Sequence, residues 1–179
     1  MTMTDMEDFP KRKQHRLHGY DYSKNGYYFV TICTHERKCV LATVGNAVPG
    51  VPQKMIPTAI GEIVLRSWAK MSEIDKNIET DWFCLMPNHI HGIIIIKNQP
   101  QTNDEAERRG RRSLHSLVRG FKSSVTREYN KFVAENERNK LWQKSFYDEI
   151  IRNKKAYDEI SEYIFKNPAK WEEDELFCK

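Results

Sequence analysis

Several features that define common protein classes are missing from this chain. Its four cysteines, Cys33, Cys39, Cys84 and Cys178, show no Cys-x-x-Cys spacing, so neither a zinc ribbon nor a disulfide framework is expected. No apolar run is long enough to span a bilayer and no signal peptide is recognisable, which predicts a cytoplasmic location and no membrane partner. Internal repeats are absent. A large charge excess is also absent. The 29 Lys and Arg against 25 Asp and Glu leave +4, which permits nucleic-acid binding without demanding it. The charge that is there is clustered. Bases gather at Lys11, Arg12, Lys13 and Arg16 and again at Arg108, Arg109, Arg111 and Arg112; acids gather at Glu172, Glu173, Asp174 and Glu175. Runs of this kind are most often solvated faces.

At 179 residues the chain can bury one sizeable core. Residues 1–25 read as a polar, basic arm, 26–171 as a single domain and 172–179 as an acidic tail. Within the domain, residues 27–34 (YYFVTICT) predict a strand. Residues 40–44 predict a short second one, and 45–57, with its glycines and prolines, a loop or irregular hairpin. Thr58 fits an N-cap, and Ile60, Ile63, Val64, Trp68 and Met71 then follow helical spacing over 59–71. Residues 78–86 and 89–97 predict two strands joined by a tight Pro87-Asn88 turn, and 98–110 a polar loop. Leu114, Leu117, Val118, Phe121, Val125 and Tyr129 mark a second amphipathic helix, 146–151 a short late strand, and 154–167 a last helix stopped by Pro168. This order predicts an α+β fold, an antiparallel sheet with helices on one face. The strand after the turn is apolar on both faces, so both of its sides should be covered.

The densest chemical signal is Met86-Pro87-Asn88-His89-Ile90-His91-Gly92. Side chains alternate along a strand, so His89 and His91 share a face about 7 Å apart or less. Two imidazoles that close can hold one divalent cation, which can polarise a phosphate or activate a water. Two partly buried histidines at a hairpin end fit the same spacing. On the last helix, Tyr163 and Asn167 stand one turn apart, with Ala156, Ile160 and Ile164 on the same face. Tyr163 offers a nucleophile and Asn167 an oxygen ligand for a hard cation. A core tyrosine and a helix cap before Pro168 fit equally well.

Taken in order, these segments resemble the REP-associated tyrosine transposases of the single-tyrosine HUH superfamily. Tyr20-Asp21-Tyr22, Gly26 and residues 28–34 resemble the family's first strand, and residues 86–92 its HUH strand. Phe121-Lys122-Ser123 resembles a basic helix element; Trp142-Gln143, Tyr147 and Ile151-Arg152 a late block; residues 163–168 the tyrosine helix ending in Asn-Pro. The resemblance spans roughly residues 20–171. It implies a ferredoxin-like, RRM-like HUH endonuclease fold that nicks and transfers single-stranded DNA beside hairpin or palindromic repeats. In that scheme His89, His91 and Asn167 hold Mg²⁺ or Mn²⁺, and Tyr163 attacks the scissile phosphate to give a 5′-phosphotyrosine and a free 3′-OH. Lys11, Arg12, Lys13, Arg16, Arg119, Lys122, Arg127 and Arg152 are the expected phosphate contacts, with Tyr20, Tyr22 and Trp142 as candidate base-stacking surfaces. A monomer is favoured over a homodimer. One departure stands out: Glu149 occupies the position, two residues after Tyr147, where the family pattern has a histidine. Two other functions compete, a hairpin-binding protein without catalysis and a metal-dependent hydrolase that uses water.

Overall fold

β-branched and aromatic side chains favour the half-buried surface of a sheet, and residues 27–32 supply them in an unbroken series. They form the central strand β1 (Gly26–Cys33) of a computed structural model. The structure describes residues 17, 19–45, 54–97, 112–138 and 140–177. The sequence expectations for Lys11, Arg12, Lys13 and Arg16, and for the loop at 98–110, lie outside the described residues.

The strands β2 (Ala42–Val44) and β3 (Met55–Pro57) pair as the small antiparallel hairpin expected around 45–57. The helix α1 (Ala59–Ile74) starts where Thr58 accepts a hydrogen bond from the Gly61 amide at 3.1 Å. Next come β4 (Ile78–Leu85), β5 (His89–Ile96), α2 (Leu114–Tyr129), β6 (Tyr147–Ile151) and α3 (Lys154–Lys166). A 3₁₀ turn, Asn167–Glu173, continues from α3.

The main sheet has the order β4-β5-β1-β6 and every pairing is antiparallel. With the small hairpin set aside, the element order is βαββαβ and the strand order that of a ferredoxin-like sheet. The fold is therefore the expected α+β one.

One expectation needs correction. Helices cover both faces of the sheet, not one. The first face carries Ile32, Ile90, Ile94 and Ile96 beneath Val64, Trp68, Leu117 and Phe121 of α1 and α2. The second carries Phe29, Ile93 and Ile95 beneath Ile164 of α3 and Trp171. The cause lies in β5, whose sequence HIHGIIII is buried at every position. A strand apolar on both faces needs cover on both, and the apolar stripe of α3 supplies the second.

Cys33 and Cys84 are free; Cys84 is the small core residue expected, whereas Cys33 is only partly buried. Cys39, against expectation, is disulfide-bonded.

The close fit of β5 to α1 turns on Gly92. A Cβ there would lie 2.4 Å from Cζ2 of Trp68, a side chain only 5% exposed. We expect Gly92→Ala to destabilise the fold by about 1–3 kcal/mol, because the indole must leave its place between Phe83 and Phe121. Urea denaturation would measure it; an unchanged midpoint would refute the packing argument.

Candidate active site

The β1–β5 register sets Thr31 opposite His91 and Cys33 opposite His89. That pairing supplies each imidazole with a partner. Thr31 Oγ1 lies 2.7 Å from His91 Nδ1, and Asn88 Oδ1 lies 2.7 Å from His89 Nδ1. The Asn88 amide is itself oriented, since its Nδ2 donates to the Leu176 carbonyl at 2.7 Å. Its oxygen therefore faces His89, so Nδ1 of His89 carries the proton and Nε2 keeps a lone pair. Thr31 is less restrictive, because a hydroxyl donates or accepts. The two Nε2 atoms are 3.0 Å apart. That separation suits either one proton shared between the rings or, with Thr31 accepting from Nδ1–H of His91, two lone pairs aimed at one cation.

Both histidines are held neutral. Burial pushes each from the usual 6.5 down to about 3. The Arg37 guanidinium adds to the effect at His89; at His91 the neighbouring His89 adds to it and the Asp174 carboxylate opposes it. Neutral imidazole is the ligand form.

Tyr163 of α3 reaches this pair. Its hydroxyl lies 3.2 Å from His91 Nε2, while the residue remains 46% exposed and so open to a substrate. Phe29 steadies the cluster, stacked on His91 and edge-on to Tyr163. Burial pushes the Tyr163 hydroxyl up to about 12, with Asp174, Cys84 and Glu175 adding to the rise and a hydrogen bond from Asn167 opposing it. Unaided, this phenol is a poor nucleophile.

Asn167 stands one turn further, 5% exposed. Its Nδ2 donates to Asp174 Oδ2 at 2.8 Å, and its Oδ1 is buried without a hydrogen-bond partner. A buried carbonyl without a hydrogen-bond partner and two convergent neutral imidazoles are groups that could ligate a divalent cation. Asp174 could join them. Its Oδ2 is 3.9 Å from His89 Nε2, and one ligand atom each from His89, His91 and Asp174 fall within 4.8 Å of one another.

The sequence pattern thus gathers Tyr163, His89, His91 and Asn167 at one point. It did not reveal Thr31, Asn88 or Asp174 as members. Asp174 was hidden in an acidic run that reads as solvated, and Thr31 becomes visible only through the strand register.

The expected DNA contacts divide. Arg119, Lys122 and Arg127 line one groove of about 790 Å³ between α2 and residues 142–146, together with Lys144 and Phe146. The ammonium of Lys122 is engaged by the carbonyls of Gln143 and Lys144 at 2.6 and 3.3 Å. Arg152 is elsewhere, beside Tyr27 and Tyr157 at the end of the sheet away from the histidines. Of the stacking candidates, Tyr22 is a core residue with Tyr20 edge-on to it, and Trp142 is largely buried with one edge in the groove. Packing claimed these rings because residues 20–22 and 142 close the α2 side of the core. Glu149 lies opposite Phe29 and accepts a hydrogen bond from Tyr147 at 3.2 Å.

No protein-family model matches the chain. An uncharacterized protein of Haemophilus influenzae is 32% identical over 176 residues, covering 93% of both chains. A second protein of that organism, named "Putative REP-associated tyrosine transposase", is 25% identical over 150 residues, 84% of this chain and 74% of its own. The named relative is thus a "Putative REP-associated tyrosine transposase", to which this chain is similar along most of its length. Its fold matches a solved REP-associated tyrosine transposase bound to a REP hairpin, with a TM-score of 0.58, 21% identity, and coverage of 87% of this chain and 73% of that one. These similarities support a transposase-like DNA function. Among the described residues no helix is long and apolar enough to cross a membrane.

The buried imidazoles link stability to acid. The unfolded chain protonates them near 6.5, whereas the fold holds them neutral to about 3. Their contribution is full above 6.5 and is lost as pH falls toward 3, at roughly 1 kcal/mol per pH unit for each histidine. Urea midpoints recorded in chelator from pH 7 to 4.5 should fall steeply for the native chain. The His89→Asn/His91→Asn double variant should give a flatter profile; equal slopes would show that the rings protonate freely in the fold.

Proposed function

We propose that this chain nicks and rejoins single-stranded DNA beside hairpin repeats, with Tyr163 as the nucleophile. The observation that carries the reading is the contact of the Tyr163 hydroxyl with His91 Nε2, at the one place where an orphaned Asn167 oxygen and two neutral imidazoles converge.

His89, His91 and Asn167, joined by Asp174, are the residues that would hold Mg²⁺ or Mn²⁺. When bound, such a cation supplies positive charge to the scissile phosphate and to the phenolate. The chain's own residues set the geometry. Asn88 and Thr31 hold the imidazoles, and α3 holds Tyr163 with its hydroxyl inward and one side open to a DNA strand. In the reaction Tyr163 gives up its proton and its oxygen bonds to phosphorus. The bond from phosphorus to the 3′ oxygen breaks, and that oxygen leaves as a 3′-OH. One phosphate ester replaces another, so a 3′-OH attacking the phosphotyrosine reverses the step and joins strands.

The histidines and Tyr163 meet within one chain, so a monomer suffices for chemistry. The catalytic domain would comprise residues 26–171, with the basic arm 1–25 and the groove carrying Arg119, Lys122 and Arg127 tracking phosphates by charge, and Arg152 adding a contact at the far end. The acidic tail 172–179 contributes Asp174 to the site.

Two measurements test this. A labelled single-stranded oligonucleotide bearing candidate hairpins, incubated with Mn²⁺, should give a covalent protein–DNA species with the native chain and none with Tyr163→Phe. Binding without an adduct on any repeat would favour a hairpin-binding protein, and cutting that survives Tyr163→Phe would favour water as nucleophile. Separately, Mn²⁺ binding followed by electron paramagnetic resonance should be lost in His91→Ala and weakened about tenfold in Asp174→Asn. Unchanged affinity in both would remove the cation from this site.

A further inference from the structure

A cavity of about 430 Å³ lies where α3 begins, at the end of the sheet away from the histidines. That is the size of a site for one small ligand, roughly 300–1,000 Å³. Ile95, Tyr27 and Ile151 line it from the sheet, in register across β5, β1 and β6. Tyr157, Arg152 and Lys154 line it from α3 and the turn before it. Tyr157 stands edge-on to Tyr27, with ring centroids 5.8 Å apart, and its hydroxyl donates to the Asp81 carboxylate. The cavity thus combines two aromatic rings, two buried isoleucines and two cations.

This cavity shares its face of the sheet with the nucleophile. Side chains alternate along β1, so Tyr27, Phe29 and Thr31 point the same way. Thr31 touches His91, and Phe29 is edge-on to Tyr163. Tyr27 is four residues from Thr31, roughly 13 Å along the strand. The face between them is aromatic and open. Tyr27 is 42% exposed, and Tyr147, 40% exposed, stands edge-on to Phe29. Half-exposed rings spaced along one face are what unpaired bases stack on. The cations differ in availability. Asp158 holds Lys154 at 2.8 Å, whereas among the described residues no carboxylate pairs with the exposed Arg152.

We propose that this cavity holds one unpaired nucleotide of the DNA strand that reaches Tyr163, with its base against Tyr27 and Tyr157 and its phosphate on Arg152. The proposal rests on the strand-transfer reading above. At 3.4 Å per stacked nucleotide, the separation spans about four nucleotides, and fewer in an extended strand. Seating a base there fixes which phosphate meets Tyr163.

The test places abasic sites one at a time along a single-stranded oligonucleotide bearing a candidate hairpin. Binding is measured with the full chain carrying Tyr163→Phe, and the attacked phosphate is mapped with the native chain. One abasic position, within about four nucleotides of that phosphate, should cost about tenfold in affinity. Adding Tyr27→Thr should weaken the intact oligonucleotide by about the same factor and erase the cost at that position alone. Tyr27→Phe, which keeps the ring, should preserve it. Arg152→Ala should lower the slope of log affinity against log salt by about 1.

Abasic costs that Tyr27→Thr leaves unchanged at every position overturn the proposal, as does uniform weakening toward intact and abasic strands, which would make Tyr27 merely structural. An unaltered salt slope in Arg152→Ala overturns it too. Micromolar dAMP that erases the cost would give the cavity to a soluble nucleotide instead of the strand. If the native chain forms no adduct on any oligonucleotide, the strand-transfer reading fails, and the abasic scan still decides whether a base fills this cavity.

Discussion

Everything at this site depends on the contact between two imidazole Nε2 atoms 3.0 Å apart. Two neutral rings can be kept that close only if their other nitrogens are tied, and both are. Asn88 fixes one from the preceding turn; Thr31 fixes the other from the neighbouring strand. The sheet register is thus part of the chemistry. A slip of one residue between β1 and β5 would turn Thr31 away from His91, and the isoleucines on both faces of β5 make any such slip expensive.

The same burial that keeps the histidines neutral works against the nucleophile. Tyr163 stands with its hydroxyl pushed up to about 12 in a corner shared with Asp174 and Glu175. His91, pushed down to about 3, is a weak base for removing that proton. A phenol held neutral among carboxylates is inert until positive charge arrives. On the proposed reading, reactivity is conditional on a cation held by His89, His91, Asn167 and Asp174, and on cationic groups able to neutralise an incoming phosphate. A resting site with this polarity keeps a potentially damaging nucleophile quiet.

Much of this was legible in the chain. The β-forming run at 27–34, the Thr58 cap, the heptad-like spacing of α2 and the apolar stripe of α3 each carry their own local signal, and each became the expected element. Tyr163 and Asn167 fall one helical turn apart, so their shared face follows from spacing alone. Partners joined through long-range pairing were not legible. Thr31 meets His91 from 60 positions away in the chain, and Asp174 is one acid in a run of four until the turn after α3 folds it inward. The cover on the second face of the sheet was implied by the all-apolar β5, yet one-sided helices were expected because element order alone does not say which face a third helix takes.

The central claim is that His89 and His91 form a proton-adjustable pair poised for a cation. Nitrogen-15 spectra of the imidazoles during a Mg²⁺ titration address it most directly. Without the ion, His89 should carry its proton on Nδ1 and His91 on Nε2, facing His89. On adding Mg²⁺ the His91 proton should move to Nδ1, toward Thr31, with His89 unchanged in tautomer. Spectra in which neither Nε2 responds to the ion would contradict the account.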